Sequence, residues 1–153
     1  MNKLYVLVGV PGSGKSTWVK NQDWAQDIPV VSTDRFVDEY AVSVGKTYSE
    51  VFEEYMPVAV KLMANQVEIC RANKKDIIWD QTSTTLASRK RKFNMLPNYY
   101  KIAVVFKTPD ADELAKRLAS RPGKEIPADV VNNMIADFDV PSEDEGFDEV
   151  WYT

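Results

Sequence analysis

Short apolar runs alternate with longer amphipathic segments along the chain. Residues 3–8 (KLYVLV) are nearly all apolar, which is typical of a strand buried on both faces of a sheet. Shorter apolar runs recur along the rest of the chain. The segments between them have apolar side chains at the spacing of an amphipathic helix. Strands that alternate with helices predict a parallel sheet with helices on both faces. The predicted strands are 3–8, 29–32, 76–79, 101–106 and 149–152.

The predicted helices are bounded by polar and proline signals. Pro57 lies inside the longest helical segment and predicts a kink or the start of a second helix. Ser83 or Thr84 is available as the N-cap of the segment that follows. Asp110 and Glu113 have the spacing of a capping box ahead of a further helix. The predicted helices are 49–73, 86–96, one after residue 110, and 128–137.

Composition narrows the class of protein. The chain has 153 residues, of which 44% are hydrophobic and 27% charged, and this predicts a single domain over residues 1–153. No apolar run approaches the roughly 20 residues of a membrane span, and the first ten residues lack the pattern of a signal peptide. We therefore expect a cytoplasmic protein. Cys70 is the single cysteine and histidine is absent, which excludes disulfide frameworks, Cys or His zinc sites and Ser-His-Asp triads.

A glycine-rich phosphate-binding motif follows the first predicted strand. Residues 9–16 (GVPGSGKS) match the pattern G-x-x-x-x-G-K-[ST]. Glycines let successive backbone N–H groups turn towards phosphate oxygens, and the following helix adds the positive end of its dipole. Lys15 would reach the β- and γ-phosphates, and the Ser16 hydroxyl would hold Mg²⁺. A glycine-rich turn without a nucleotide is the structural alternative.

Two acidic residues follow predicted strands. Asp34 comes after the strand at 29–32, and Asp80 after the apolar run at 76–79. Ligands of open α/β sheets bind outside the carboxyl ends of the strands, so both carboxylates are expected beside the phosphate loop. Each fits two roles, accepting a proton from an attacking hydroxyl or helping to hold Mg²⁺. Each also has a structural explanation, Asp34 as a helix N-cap and Asp80 as a turn residue.

A basic segment near residues 117–127 resembles a lid. Arg117 and Arg121 are four residues apart, which predicts one face of a helix, and Pro122 and Gly123 then interrupt that helix. A mobile basic lid over a triphosphate would stabilise charge on the transferring group. A solvated basic helix end is the structural alternative.

Basic residues elsewhere are less specific. Residues 89–92 (RKRK) spread around a helix, so that only one of them, Arg89 by its position, is expected to reach an acceptor phosphate. The net charge of −4 argues against a protein that coats duplex DNA, but it allows a local contact with a few phosphates.

These segments together resemble the 5′-hydroxyl polynucleotide kinases. The loop at 9–18 is similar to theirs, Asp34 stands where that family keeps its general base, and residues 80–82 look like its acceptor-side motif. Residues 116–127 resemble its arginine-bearing lid, and residues 145–150 a turn and strand of related small kinases. The resemblance implies a P-loop NTPase-type α/β fold, a three-layer sandwich with a parallel sheet of about five strands and a short basic lid.

The resemblance also implies an activity and roles for residues. It implies transfer of the γ-phosphate of ATP, with Mg²⁺, to the 5′-hydroxyl end of DNA or RNA, more as a single strand than as coated duplex. Asp34 would be the general base, while Lys15, Arg117 and Arg121 would stabilise the phosphoryl charge. The residues expected to position the acceptor are Asp80, Thr82 and Arg89. The residues expected to bind the nucleotide are Gly9, Pro11, Gly12, Ser13, Gly14, Lys15, Ser16, Thr17, Arg117 and Arg121.

Two other functions fit the same residues. A small-molecule kinase of this fold would phosphorylate a sugar, nucleoside or modified base in a closed pocket that is insensitive to salt. A non-catalytic nucleotide-binding switch would bind ATP without acceptor-dependent consumption. Asp34 and the basic lid favour a kinase over the switch.

Overall fold

The computed structural model describes all residues 1–153, which form five strands with one or two helices between each strand and the next. Two single turns of 3₁₀ helix, Asp23–Ala25 and Glu143–Glu145, lie in connecting segments. The strands are β1 (Lys3–Val8), β2 (Val30–Val31), β3 (Ile77–Trp79), β4 (Tyr100–Val105) and β5 (Glu149–Tyr152). The helices are α1 (Lys15–Lys20), α2 (Asp34–Ser43), α3 (Tyr48–Ala72), α4 (Leu86–Met95), α5 (Ala111–Ala119) and α6 (Ala128–Ala136).

The strands form one parallel sheet in the order β2-β3-β1-β4-β5. β1 lies in the centre, where Val6 is in register with Trp79 of β3 and with Ala103 of β4. Because every strand runs in the same direction, the segments that follow β1, β2 and β3 emerge at one edge of the sheet. The predicted five-stranded parallel sheet is confirmed.

Side chains of β1 alternate between two cores. Leu4 and Val6 belong to a cluster of 14 buried residues that includes side chains of α3. Tyr5 and Leu7 belong to a second cluster on the opposite face, against which the α1 residue Trp18 packs. Helices therefore cover both faces of the sheet, which confirms the three-layer arrangement. No helix, not even the 25-residue α3, has the length and apolar character needed to cross a membrane.

Two helices differ from their predicted form. α3 continues through Pro57 as one helix of 25 residues, so the predicted second start is wrong. Buried side chains both before and after the proline, such as Val51 and Ala59, anchor both halves of this helix in the core. α4 is capped by Thr85, whose hydroxyl accepts from the Ser88 N–H at 3.2 Å, rather than by either predicted residue.

Lys92 of α4 is a buried cation without an acidic partner. Its side chain is 93% buried, since only 7% of the residue is exposed, and its ammonium lies 5.2 Å from the centre of the Trp79 ring. The Ser88 carbonyl accepts its one hydrogen bond, at 3.4 Å. Burial, followed by the nearby charges of Arg91 and Arg89, lowers the pKa of Lys92 to about 8.

Replacing Lys92 by methionine is expected to stabilise the fold. We expect a gain in the free energy of unfolding of about 1–3 kcal/mol at pH 7, because a methionine of similar shape carries no charge to desolvate. Lys92 lowers the stability of the fold at any pH at which its side chain is protonated in the unfolded chain. The stability gained by Lys92→Met should therefore shrink as pH rises from about 8, the pKa of Lys92 in the folded protein, towards 10.5, its ordinary value. Urea denaturation at both ends of this range tests it, with the exposed neighbour Lys90→Met as the control. An equal gain at both pH values would contradict burial of the charge as the cause.

Candidate functional site

The phosphate-binding motif forms the turn between β1 and α1, as the sequence predicts. Gly12 and Gly14 adopt positive φ angles of 82° and 97°, which only glycine adopts without strain. No side chain caps the N-terminus of α1, so its first N–H groups remain free for a ligand. The Gly9 N–H donates to the carbonyl of Thr82 at 2.9 Å and fixes the loop to the segment that follows β3. The remaining predicted nucleotide-binding residues of the loop, Pro11, Ser13, Lys15, Ser16 and Thr17, lie in the same turn or the start of α1.

Lys15 folds back into its own loop. Its ammonium donates to the carbonyls of Gly9 and Val10, both at 2.9 Å. Burial lowers the pKa of Lys15 to about 8, while the carboxylates of Asp80 and Asp34 act in the opposite direction. An entering phosphate would replace the carbonyls and favour the charged ammonium. The Lys15 ammonium therefore lies inside the loop that the sequence predicts to bind phosphate.

Ser16 and Asp80 form an oxygen pair beside Lys15. The Ser16 hydroxyl donates to Oδ2 of Asp80 at 2.9 Å. Burial raises the pKa of Asp80, while the hydrogen bond from Ser16 and the charge of Lys15 oppose this rise. A hydroxyl and a carboxylate next to a phosphate loop are the oxygen ligands that Mg²⁺ takes in proteins. These residues fit the metal role of Asp80 better than the acceptor role implied by the resemblance.

Asp34 is the first residue of α2, where Thr33, not Asp34, is the cap residue. Its side chain is exposed at the edge of the sheet, and its Oδ1 accepts a hydrogen bond from the Tyr48 hydroxyl at 2.6 Å. Burial and this bond to a carboxylate raise the pKa of Tyr48, so the phenol remains a donor. Asp34 lies near enough to Lys15 to affect the pKa of Lys15. Tyr48 therefore occupies Oδ1 of this exposed carboxylate, and Oδ2 has no hydrogen-bond partner within the protein.

Arg117 and Arg121 approach the loop from α5 and from the segment after it. The Arg117 guanidinium donates to the carbonyl of Gly12 at 3.0 Å and pairs with Glu113 at 2.9 Å. α5 ends at Ala119, so the predicted placement of both arginines on one helix face is wrong. Arg121 lies in the following turn and is close enough to affect the pKa of both Lys15 and Tyr48. Both arginines therefore lie near the phosphate loop, Arg117 on α5 and Arg121 in the turn that follows it.

Arg89 is not at the acceptor side. It is fully buried, and its guanidinium forms two hydrogen bonds with the Glu145 carboxylate, at 2.6 and 3.0 Å. A third bond, at 2.9 Å, goes to the carbonyl of Ser83, next to Thr82. The expectation that Arg89 contacts an acceptor phosphate is therefore wrong, because each of the three guanidinium nitrogens donates a hydrogen bond inside the protein. Arg89 instead supports the segment that contains Thr82.

A cavity of about 510 Å³ lies beside the phosphate loop, next to the ends of β4 and β5. The ends of β4 and β5, the phosphate loop, α1 and Arg117 line it. Sequence reasoning assigned no ligand to several of these residues. Their common signal is that the segments after β4 and β5 emerge at the same sheet edge as the loop. The lining residues not predicted from the sequence are Trp18, Asn21, Phe106 and Thr153.

Comparison with known sequences places these features in a wider context. A family profile described as an AAA domain matches residues 4–141. Heterogeneous nuclear ribonucleoprotein U-like protein 2 of Mus musculus is 25% identical over 161 residues, which cover 98% of this chain and 21% of that protein. The Homo sapiens protein of the same name matches to the same extent. The chain spans about a fifth of the length of the curated relatives it matches.

Solved structures with the same fold include kinases. A candidate kinase from Chloroflexus aurantiacus superimposes with a TM-score of 0.73 at 18% identity, covering 99% of this chain and 84% of that one. A chain of the Pnkp1/Rnl/Hen1 RNA repair complex has a TM-score of 0.66 at 26% identity, covering 89% and 43%. A sugar kinase from Janibacter sp. HTCC2649 has a TM-score of 0.65 at 17% identity, covering 99% and 86%. The α/β fold is thus the P-loop kinase-like fold, which typically binds ATP and Mg²⁺.

Proposed function

The chain belongs to the AAA domain family, and from that premise we propose that it is a kinase that transfers the γ-phosphate of ATP to the 5′-hydroxyl end of DNA or RNA. One observation carries the proposal. The phosphate loop gathers a lysine, an arginine and a carboxylate: Lys15 donates to the Gly9 and Val10 carbonyls, Arg117 donates to the Gly12 carbonyl, and Ser16 donates to Asp80. The carboxylate of Asp34 lies close enough to raise the pKa of Lys15. Phosphate transfer needs this combination of cations for the phosphoryl group and a carboxylate for the acceptor proton.

The donor side consists of the phosphate loop and the arginines. Lys15 would exchange its bonds to Gly9 and Val10 for bonds to the β- and γ-phosphates. Arg117 and Arg121 would add positive charge at the transferring group. The cavity beyond the loop would take the nucleoside. Ser16 and Asp80 would hold Mg²⁺, which neutralises phosphate charge when bound.

Asp34 would act on the acceptor. The hydroxyl oxygen attacks the γ-phosphorus, and a new O–P bond forms as the bond to the bridging oxygen of ADP breaks. The electron pair of the broken bond leaves with ADP, and the hydroxyl proton passes to the oxygen of Asp34 that Tyr48 does not occupy. Thr82 lies on the segment next to this site, tied to the loop through Gly9, and remains a proposed acceptor contact.

Two observations support a nucleic-acid end over a sugar. Asp34 is exposed rather than enclosed, which suits an acceptor that is the end of a longer chain. The RNA repair complex contains a chain with 26% sequence identity to this protein, in a match that covers 89% of this protein and 43% of that chain. Sugar kinases share the fold at 16% and 17% identity, which supports no more than the fold. A small-molecule acceptor is therefore the second candidate.

A panel of acceptors tests the proposal. With γ-labelled ATP and Mg²⁺, we expect label on 5′-hydroxyl oligonucleotides and none on their 5′-phosphorylated copies, because the latter offer no hydroxyl at that end. The kcat/KM for oligonucleotides should fall with salt, with a logarithmic slope of about −0.7 for each phosphate contacted. Label on nucleosides or sugars alone, without a salt effect, would replace the proposal by the small-molecule kinase. ATP binding without any labelled acceptor would favour the nucleotide switch.

A further inference from the structure

Tyr48 lies between the candidate base and the lid tip, defined as residues 121–125. Tyr48 is the first residue of α3, and the capping box formed by Thr47 and Glu50 fixes this end of the helix. Its hydroxyl donates to Oδ1 of Asp34 at 2.6 Å, a short bond that fixes the rotation of the carboxylate. The orientation of Asp34 therefore depends on a residue from another helix.

The backbone of the lid tip is bonded to the residue after Tyr48. The Ser49 N–H donates to the carbonyl of Gly123 at 2.9 Å. The Ser49 hydroxyl in turn accepts from the Glu125 N–H at 2.7 Å. Both bonds join segments more than 70 residues apart in sequence. They fix the position of the lid tip against the start of α3.

Lys124 of the lid tip contacts Tyr48 itself. Its ammonium lies 4.7 Å from the centre of the Tyr48 ring, within the range of a cation–π interaction. The same ammonium pairs with Asp38, one turn along α2 from Asp34, at 2.9 Å. The lid tip therefore contacts both α2, which carries Asp34, and Tyr48 of α3, which donates to Asp34.

We propose that Tyr48 is a positioning residue that couples closure of the lid tip to the orientation of the Asp34 carboxylate. This inference rests on the proposed function, in which Asp34 accepts the acceptor proton. With the lid tip docked, the phenol holds Oδ1 and leaves Oδ2 for the acceptor hydroxyl. With the lid tip displaced, Tyr48 loses the Lys124 ammonium beside its ring and Ser49 loses its two bonds to the lid tip, so the phenol no longer holds Asp34 in one orientation. Proton transfer to Asp34 and stabilisation of the phosphoryl charge by the lid would then occur only when the lid tip is docked.

A conservative substitution separates the hydroxyl of Tyr48 from its ring. Tyr48→Phe keeps the packing of the ring against Lys124 but removes the bond to Asp34. We expect kcat for 5′-hydroxyl oligonucleotides to fall about 10- to 100-fold, the range of a lost hydrogen bond to a charged group, with the affinity for ATP and the acceptor KM nearly unchanged. Tyr55→Phe on the same helix is the matched control and should keep the parent rate, because Tyr55 stacks on Tyr40 instead. Tyr48→Phe added to Asp34→Asn should cause no further loss.

Hydrogen exchange tests the coupling without any transfer assay. The amides of Ser49 and Glu125 report docking of the lid tip directly, since each is bonded across this contact. Asp34→Ala and Tyr48→Phe leave the donors and acceptors of both bonds in place, yet both should speed the exchange of these amides by about fivefold or more if the base and the lid tip are coupled. Unchanged exchange in both variants would overturn the inference whatever the activity. If Tyr48→Phe kept the kcat of an active parent protein, the inference would also be overturned, but the proposed function would stand. If the exchange of the two amides were coupled in a protein that phosphorylates no acceptor, the proposed function alone would be refuted.

Discussion

Asp34→Asn is expected to lower kcat for phosphate transfer by about 10²- to 10⁴-fold, the usual contribution of a general base. Asparagine has the size of aspartate, and its carbonyl oxygen can still accept the hydrogen bond from Tyr48. It cannot take a proton from the acceptor hydroxyl. ATP affinity should remain nearly unchanged, because Asp34 belongs neither to the phosphate loop nor to the lining of the cavity beside it.

The matched control for this substitution is Glu39→Gln on the same helix. Glu39 forms only a surface ion pair with Arg35, at 3.6 Å, and neutralising it should leave kcat at the parent value. Steady-state rates with a labelled oligonucleotide and ATP binding by tryptophan fluorescence measure the two quantities. A parent rate in Asp34→Asn would remove Asp34 as the base and leave Asp80 as the remaining acid at this edge.

The second large effect concerns stability. Arg89→Met should lower the free energy of unfolding by about 3–5 kcal/mol, the usual cost of leaving one member of a buried ion pair alone. The substitution leaves the Glu145 carboxylate, which is also largely buried, without its guanidinium. It also removes the bond to the Ser83 carbonyl, at a residue whose φ of 46° places it in the left-handed region. The segment after β3 would lose its contact with the buried guanidinium.

Urea denaturation compares this variant with Arg91→Met, an exposed neighbour in the same helix. We expect the control to change stability by less than about 0.5 kcal/mol, as surface substitutions usually do. Glu145→Gln keeps part of the hydrogen bonding and gives a milder variant if Arg89→Met does not fold. A loss below about 1 kcal/mol in Arg89→Met would show that the ion pair contributes no more than a surface pair.

The elements with strong local patterns were predictable from the sequence. The apolar run of β1 and the glycines of the phosphate loop define a strand followed by a loop with positive φ, and both are found as predicted. β5 also has its predicted bounds, Glu149–Tyr152. In these segments, local conformation and tertiary packing favour the same structure, so a single sequence is sufficient.

The site was only partly predictable because several of its contacts join distant segments. Arg89 occurs in a run of basic residues that looks solvated, and its acid partner lies 56 residues further along the chain. Tyr48 has no polar motif around it, and its bond to Asp34 depends on how α3 packs against α2. Arg121 was placed on a helix by spacing, yet α5 ends two residues before it. Pairings of this kind follow from the tertiary fold rather than from local spacing.

The strand order has a consequence for how the two substrates would meet. The cavity beside the phosphate loop borders Phe106 and Thr153, after β4 and β5, whereas Asp34 follows β2 at the opposite end of the sheet. The phosphate loop after the central β1 lies between them. Donor and acceptor would therefore enter from opposite sides, and neither would have to leave before the other arrives. In the proposed reaction, either order of binding would then lead to the same ternary complex, and the phosphoryl group would pass directly between the substrates without a phosphorylated enzyme.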